Sequence, residues 1–229
     1  AANAEQAQAL ITAAERQGTL LSVYQNRRWD SDYLTLRKLI DAGALGTINR
    51  FESRVERYSP QAVGNASGGG WLRDLGSHLV DQALQLFGPV DKVFAQLHYS
   101  AEHPHVDHGF FVSLTHANGV ISHLWGNALQ NSQAPRFRVS GSAGCYTVEG
   151  LDGQEEALMA GKSPKTEGEH WGAEEHRRWG WFEQGPERER VPSEKGCWTQ
   201  FYRQLQAAVQ GQGPLPVNAY DALETTRIL

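Results

Sequence analysis

The fold is decided by residues 109–127, which run Gly-Phe-Phe-Val-Ser-Leu-Thr-His-Ala-Asn-Gly-Val-Ile-Ser-His-Leu-Trp-Gly-Asn. Two strand-like segments, Gly109–His116 and Val120–Asn127, flank the dipeptide Asn118-Gly119. Asn-Gly between two such runs is a strong hairpin signal, because both residues tolerate the positive φ that a tight turn needs. The stretch therefore predicts two adjacent antiparallel strands.

Outward from the hairpin, further strands and helices complete an α+β pattern. Residues 150–195 are polar, with scattered tryptophans (Trp171, Trp179 and Trp181), and are predicted to be irregular surface structure. Together the pattern predicts a mixed, mostly antiparallel open sheet with helices on one face. The additional strands are predicted at 47–58, 92–99, 136–140 and 145–149, and the helices at about 31–43, 75–87, 199–209 and from Asn218 onward.

A helix and a short strand precede this body. Asn3 is placed to cap a helix that Gly18 ends, and the apolar run Leu20–Tyr24 predicts a buried strand. A helix-strand pair cannot be a domain by itself. We interpret it as the tail of an α/β unit whose earlier strands are missing.

Composition excludes several classes of protein. The formal net charge is -5, which argues against a nucleic-acid surface. No apolar run is long enough to span a bilayer, and the first residues do not resemble a signal peptide. The two cysteines, Cys145 and Cys197, lie far apart without C-x-x-C spacing, so a cytoplasmic location is expected.

Chemistry is concentrated at residues 68–82, Gly-Gly-Gly-Trp-Leu-Arg-Asp-Leu-Gly-Ser-His-Leu-Val-Asp-Gln. Asp74 and His78 are four residues apart and share one face of the first turn of a helix. The helix terminus lowers the pKa of His78 and the carboxylate raises it, so titration near neutral pH is expected. Such a histidine suits the general base that alcohol oxidation requires. The alternative is a helix cap with a surface histidine, which is the commoner meaning of this spacing.

Residues near the predicted strand ends are secondary candidates. Arg27 and Arg28 can bind a carboxylate or phosphate, although an interdomain ion pair is as good an interpretation. Trp29 fits packing better than sugar stacking. Arg57 and Tyr58 are either pocket lining or an exposed strand end.

Residues 103–108, His-Pro-His-Val-Asp-His, offer three histidines and a carboxylate to a divalent ion. They lie between two predicted strands, where polar loops are expected, and Pro104 restricts folding back. We therefore predict no metal site.

Three segments together resemble the Gfo/Idh/MocA oxidoreductase family. They are Gln25–Asp30, the strand sequence Phe51-Glu52-Ser53-Arg54, and the glycine-rich stretch that ends in His-Leu-Val-Asp-Gln. Members of this family have an N-terminal Rossmann domain that binds NAD or NADP, and a C-terminal α+β domain whose sheet often mediates oligomerisation. The resemblance implies that residues 1–29 are a Rossmann remnant and residues 30–229 a substrate-binding and oligomerisation domain.

The resemblance also implies roles for individual residues. Asp74 and His78 match the residues that act on the substrate hydroxyl, and Asn26–Trp29 are placed beside the nicotinamide and the substrate. Our own assignment is that Asn26 and Arg27 bind the cofactor, and that Arg28, Trp29 and Tyr58 bind the substrate together with Asp74 and His78. The family's G-x-G-x-x-G and Glu-Lys-Pro segments are absent from residues 1–229, so this piece is expected to be inactive alone.

The expected activity is hydride transfer between NAD(P) and a hydroxyl of a sugar, inositol or related polyol. The expected partners are that substrate and a second copy of the chain, in a homodimer or higher oligomer through the sheet. The alternative is a non-catalytic binding or regulatory protein of the same fold.

Overall fold

The computed structural model of the chain describes residues 3–65 and 69–229. Gly68, the first glycine of the glycine-rich stretch, lies outside the described residues.

One open sheet of eight strands organises the described part of the chain, in the order β2-β3-β4-β1-β5-β6-β7-β8. β1 pairs with β4 in parallel, and every other neighbouring pair is antiparallel. The predicted α+β class with a mixed, mostly antiparallel sheet is confirmed. The strands are β1 (Ile48–Glu56), β2 (Val90–Tyr99), β3 (Asp107–His116), β4 (Ile121–Asn127), β5 (Phe137–Gly141), β6 (Cys145–Val148), β7 (Gly180–Gln184) and β8 (Glu187–Val191).

The hairpin predicted from Asn118-Gly119 joins β3 to β4. Gly119 has φ 88°, in the left-handed region that the turn requires. Residues alternate between the two faces of β4, and Leu124 and Ser122 lie on the buried side.

The helices pack against one face of the sheet and leave the other open. Leu79 of the central helix is fully buried against Phe51 of β1 and Leu124 of β4, in one continuous core. On the opposite face, Phe94 of β2 stays half exposed. The described helices are α1 (Ala4–Gln17), α2 (Ser31–Asp41), α3 (Ser77–Phe87), α4 (Gln154–Met159), α5 (Pro164–Glu167), α6 (Thr199–Val209) and α7 (Ala219–Ile228).

The first helix agrees with its predicted ends, but the strand after it does not form. The Asn3 side chain accepts a hydrogen bond from the Gln6 N–H, and Gly18 ends α1 at φ 61°. The predicted strand Leu20–Tyr24 is wrong, since this run pairs with no strand in the described part of the chain. An apolar run becomes a strand only beside a partner, and this run is instead tied to Val217 through the Ser22 hydroxyl.

The region predicted to be irregular contains a hairpin, β7–β8. Trp181 of β7 lies under the guanidinium groups of Arg188 and Arg190, at 4.0 and 3.9 Å from its ring centroid. β8 is the outer strand of the sheet, where charged side chains protect the unpaired edge. Its alternating Glu and Arg residues therefore concealed the strand in the sequence.

Among the described helices, none combines the length and the apolar character required to cross a membrane.

Candidate active site at the start of α3

The glycine-rich stretch leads into a wide helical turn before α3. Residues Leu72–Gly76 form a π-helical turn, and the regular helix follows from Ser77. Asp107 of β3 accepts the Leu72 N–H on its Oδ2 at 2.8 Å, so a carboxylate on the sheet binds the open N-terminal end of this turn. The sheet thereby fixes the position of the segment that carries Asp74 and His78.

Gly70 is required where the chain passes Asp107. Its φ is 96°, and a Cβ added there would lie 2.0 Å from Oδ1 of Asp107. The close contact that requires glycine at this position is therefore with a protein carboxylate.

Replacing Gly70 by alanine is expected to destabilise the protein by more than backbone strain alone. Gly119 is the matched control, because it has φ 88° but nothing within 4 Å of an added Cβ. Gly119→Ala should cost about 1–3 kcal/mol. Gly70→Ala should cost more in urea unfolding, because it also displaces Asp107 from Leu72. Equal losses in the two variants would contradict this account.

His78 is partly exposed, and its Nδ1 is buried with no hydrogen-bond partner among the described residues. Burial, together with the positive charges of Arg27 and Arg136, lowers its pKa to about 3. The imidazole is therefore neutral at physiological pH, which is the form that accepts a proton. The expected titration near neutrality is wrong, because burial and two arginines from distant parts of the sequence lower the pKa.

Asp74 is exposed in the π-helical turn, and its backbone carbonyl accepts a hydrogen bond from Ser77. Its carboxylate forms no hydrogen bond with Nδ1 of His78, since that nitrogen has no partner among the described residues. Both residues nevertheless lie at the same end of α3.

A 3-10 turn, Asn26–Trp29, is fastened to α3 one helical turn after His78. Gln82 Nε2 donates to the Arg27 carbonyl at 2.9 Å. Arg28 forms two hydrogen bonds with the carboxylate of Asp81, at 2.7 and 2.6 Å. Four of the candidate residues, Asn26–Trp29, therefore lie beside the helix that carries His78.

The two candidate arginines are held in ion pairs. Arg27 is buried and contacts Asp30 at 3.2 Å and Glu155 at 2.8 Å. Arg28 also contacts Asp221 at 3.2 Å. Both guanidinium groups are thus committed to protein carboxylates in this structure.

Arg136 connects the candidate site to the sheet through buried hydrogen bonds. It is 2% exposed and donates to Asp32 at 2.9 Å, to Ser53 of β1 at 2.6 Å and to Gln82 at 2.9 Å. Because Gln82 also donates to the Arg27 carbonyl, one glutamine links the buried arginine to the 3-10 turn.

The remaining candidates lie at the edges of this arrangement. Trp29 packs edge-on against Phe201 of α6, with ring centroids 5.9 Å apart. Tyr58 is 61% exposed beyond the end of β1 and bridges Leu129 through its backbone. The neighbouring Arg57 lies over the Trp71 ring at 5.5 Å.

The histidine-rich segment does not form a ligand cluster. Over residues 3–65 and 69–229, no three His, Cys, Asp or Glu side chains come together in a geometry that could hold a metal ion. Asp107 instead binds the turn before α3, and a Cβ on Gly64 would meet the His103 ring at 2.4 Å.

Sequence reasoning missed the residues that position the site. Asp81 and Gln82 follow His78 by one turn of the same helix, so their helical spacing was an available signal. Arg136 and Asp107 gave no signal for this role, because Asp107 reaches the site from β3 and Arg136 from the position before β5.

Comparison with known proteins decides the family. The model of the GFO/IDH/MocA C-terminal domain matches residues 33–147. The chain belongs to the Gfo/Idh/MocA family. The matched residues run from α2 through β6 and so include the α3 segment with Asp74 and His78.

Relatives within the Gfo/Idh/MocA family match nearly the whole chain. The scyllo-inositol 2-dehydrogenase (NADP(+)) IolW of Bacillus subtilis is 34% identical over 100% of this chain and 65% of its own length. The oxidoreductase YdgJ of Escherichia coli is 35% identical over 98% of this chain and 66% of its own length. The solved structure of yvaA from Bacillus subtilis superposes with TM-score 0.89 at 35% identity, covering 99% of this chain and 66% of that one. The chain thus spans slightly less than two thirds of these relatives.

The family's nicotinamide cofactor can be tested against the residues present. Four buried side-chain polar atoms have no partner among the described residues, and two of them are Nδ1 of His78 and Oε1 of Gln25. Buried polar atoms are nearly always paired in proteins, so their absence of partners fits a site that takes a polar ligand. His78, at the start of α3, carries one of these unpaired atoms.

Proposed function

We propose that this chain is the substrate-binding part of an oxidoreductase that transfers hydride between NAD(P) and a hydroxyl of a sugar, inositol or related polyol. The observation that carries the proposal is His78, a neutral histidine with an unpaired buried nitrogen at the start of α3. Family membership supports the reaction class, and the name of the inositol dehydrogenase relative supports the substrate class.

In this proposal residues 30–229 form the substrate-binding and oligomerisation domain, and residues 1–29 end the dinucleotide-binding Rossmann domain. The 3-10 turn Asn26–Trp29 lies at the junction, where its Arg27 carbonyl and Arg28 side chain are bonded to α3 of the second domain. Residues before the turn would then move with the nucleotide-binding domain, and the residues after it would move with the sheet.

His78 would act as the general acid/base. A neutral imidazole accepts the proton of a substrate hydroxyl as that group becomes a carbonyl, and returns it in the reverse direction. Bound NAD(P) supplies the hydride acceptor or donor. Asp74, exposed at the same end of α3, would accept a hydrogen bond from a substrate hydroxyl and orient it toward His78.

Arg27 would stabilise charge during the reaction. The positive field that lowers the pKa of His78 comes partly from Arg27, and the same field favours a developing alkoxide nearby. We assign Asn26 and Arg27 to the cofactor side of the site. We assign Arg28, Trp29 and Tyr58 to the substrate side, where Arg28 and Trp29 act by shaping the wall.

The test is turnover by the full-length protein with NAD⁺ and NADP⁺ against a panel of inositols, sugars and other polyols. At least one polyol should reduce one of the two cofactors, and residues 1–229 alone should not turn over. Binding of polyols without turnover across the panel would favour the non-catalytic alternative and overturn the enzyme proposal.

We further propose that the open face of the sheet mediates a homodimer or higher oligomer. It carries an aromatic cluster in which the ring centroid of Phe111 lies 6.3 Å from that of Phe94 and 5.2 Å from that of Trp125. The Arg54 guanidinium stacks over the Trp125 ring, 4.0 Å from its centroid. Sedimentation should show an oligomer that Phe94→Glu dissociates. A monomeric wild-type protein would contradict this.

A cytoplasmic location is also proposed, on the ground that both cysteines are free thiols. Cell fractionation tests it, and recovery of the protein outside the cytoplasm would contradict it.

A further inference from the structure

Two carboxylates hold the guanidinium group of Arg27, and they are unequal partners. Nη1 donates to Oδ2 of Asp30 at 3.2 Å, and Nη2 donates to Oε2 of Glu155 at 2.8 Å. Asp30 is fully buried, and burial together with the nearby charges of Asp32 and Asp152 raises its pKa well above the usual range. A carboxyl group whose negative charge is disfavoured in this way is a weaker counterion. Glu155 is therefore the stronger of the two partners.

Glu155 reaches Arg27 because the first turn of α4 is fixed against the 3-10 turn. Its neighbour Gln154 is 1% exposed and donates through Nε2 to the Trp29 carbonyl at 3.3 Å. Oε1 of Gln154 accepts the indole N–H of Trp171 at 3.0 Å. Exposed ion pairs usually contribute little, because two free side chains must be ordered to form them. This pair differs, since its arginine is buried and the residue before its glutamate is held on two sides.

The charge of Arg27 acts on the proposed base. Burial is the main cause of the low pKa of His78, and the positive charge of Arg27 comes next, ahead of Arg136. The Arg27 carbonyl also accepts a hydrogen bond from Gln82, one helical turn after His78 on α3. A charge that is held in one place can stabilise a developing oxyanion without rearranging during the reaction. The field around His78 therefore depends on what holds the Arg27 guanidinium.

We propose that Glu155 is a positioning residue for the reaction, which holds the Arg27 guanidinium where it stabilises charge on the substrate oxygen that His78 deprotonates. The inference rests on the proposed function, because it takes hydride transfer from a hydroxyl as the reaction. Glu155 acts through Arg27 and needs no contact with the substrate. Its other oxygen, Oε1, lies 3.9 Å from Nη1 of Arg57, just after β1, so the same carboxylate faces two arginines beside the site.

The experiment measures kcat and KM of the full-length protein for a polyol that it oxidises, in Glu155→Leu and Glu155→Gln. Leucine removes the acceptor at similar volume, and we expect kcat to fall about 10- to 100-fold, the usual effect of losing a hydrogen bond between charged groups. KM should change little, because charge on the substrate oxygen develops only in the transition state. Glutamine keeps an acceptor for Nη2 of Arg27 and should restore kcat to within about 3-fold of wild type.

Glu156→Leu is the matched control. Glu156 is the next residue of α4, its side chain is 78% exposed, and it pairs with Arg178 at 3.2 Å. Because it has no contact with Arg27, its replacement should leave both kcat and KM at the wild-type values.

A double-mutant cycle tests whether Glu155 acts through Arg27. Arg27→Met should itself lower kcat, and adding Glu155→Leu to that variant should lower kcat no further. Should Arg27→Met not fold, the comparison of Glu155→Leu with Glu155→Gln still decides, because a neutral acceptor restores the contact that holds the guanidinium.

The outcomes distinguish the two proposals. Wild-type kcat in Glu155→Leu, or an equal fall in Glu155→Gln and Glu155→Leu, overturns the role of Glu155 and leaves the proposed function standing. Multiplying losses in the double variant overturn that role as well. A wild-type protein that oxidises no polyol with either cofactor overturns both proposals.

Discussion

In the full-length protein, His78→Asn is expected to lower kcat for the proposed polyol oxidation by about 10²–10⁴-fold, the usual contribution of a positioned general base. Asparagine keeps a polar side chain near the buried position of Nδ1 but cannot accept the substrate proton. Dinucleotide affinity should stay near the wild-type value, since the proton acceptor is not needed for cofactor binding. Stopped-flow measurement of the hydride-transfer step, beside fluorescence titration of NADH or NADPH, separates the two quantities.

His170→Asn is the matched control for this variant. His170 is exposed in the 3-10 turn Gly168–His170, so its replacement should change neither kcat nor affinity. Wild-type kcat in His78→Asn would sink the general-base assignment. A loss of dinucleotide binding equal to the loss of kcat would instead indicate a structural role.

Arg136→Met should produce the largest loss of stability, about 3–5 kcal/mol in urea unfolding. The change leaves Asp32 as a buried carboxylate without its cation and removes donors from Ser53 and Gln82. Methionine fills much of the arginine volume, so the loss reports charge and hydrogen bonding more than cavity formation. Failure of the variant to fold is the extreme form of the same result.

Two further variants test the cause of that loss. Arg138→Met, two residues along and exposed, should shift the free energy of unfolding by no more than about 0.5 kcal/mol. Combining Arg136→Met with Asp32→Asn should recover part of the stability, because no unpaired charge then remains buried. If Arg136→Met unfolds at the same urea concentration as Arg138→Met, the buried network has no stabilising role.

The sheet was predictable where side-chain pattern and turn chemistry agree. The Asn118-Gly119 turn and the alternation in β3 and β4 each predict the hairpin, and both are present. The side-chain pattern predicted the wrong secondary structure for two segments. Leu20–Tyr24 has the composition of a strand but no partner strand, and β8 has a partner but the composition of a surface loop.

The candidate site was predictable in position but not in electrostatics. Helical spacing placed Asp74 and His78 at the start of α3. The expected balance between helix terminus and carboxylate nevertheless gave the wrong pKa for His78, because burial and the charges of Arg27 and Arg136 dominate. Such contributions arise from tertiary contacts, which local sequence does not contain. For the same reason, the sequence did not reveal the role of Asp107, which lies in a segment of loop-like composition and binds the turn before α3.

The hydrogen bonds and ion pairs that hold the 3-10 turn also limit how this segment can move. Gln82 and Asp81 hold it from α3, Glu155 holds Arg27 from α4, and the Trp29 carbonyl accepts the Cys197 N–H at 2.8 Å. A segment bonded on so many sides cannot serve as a hinge, and it must travel with the sheet as a rigid body. In the proposed enzyme, any bending between a nucleotide domain and the sheet would therefore have to occur before Gln25, so that Asn26–Trp29 would keep their distance from His78 throughout each cycle.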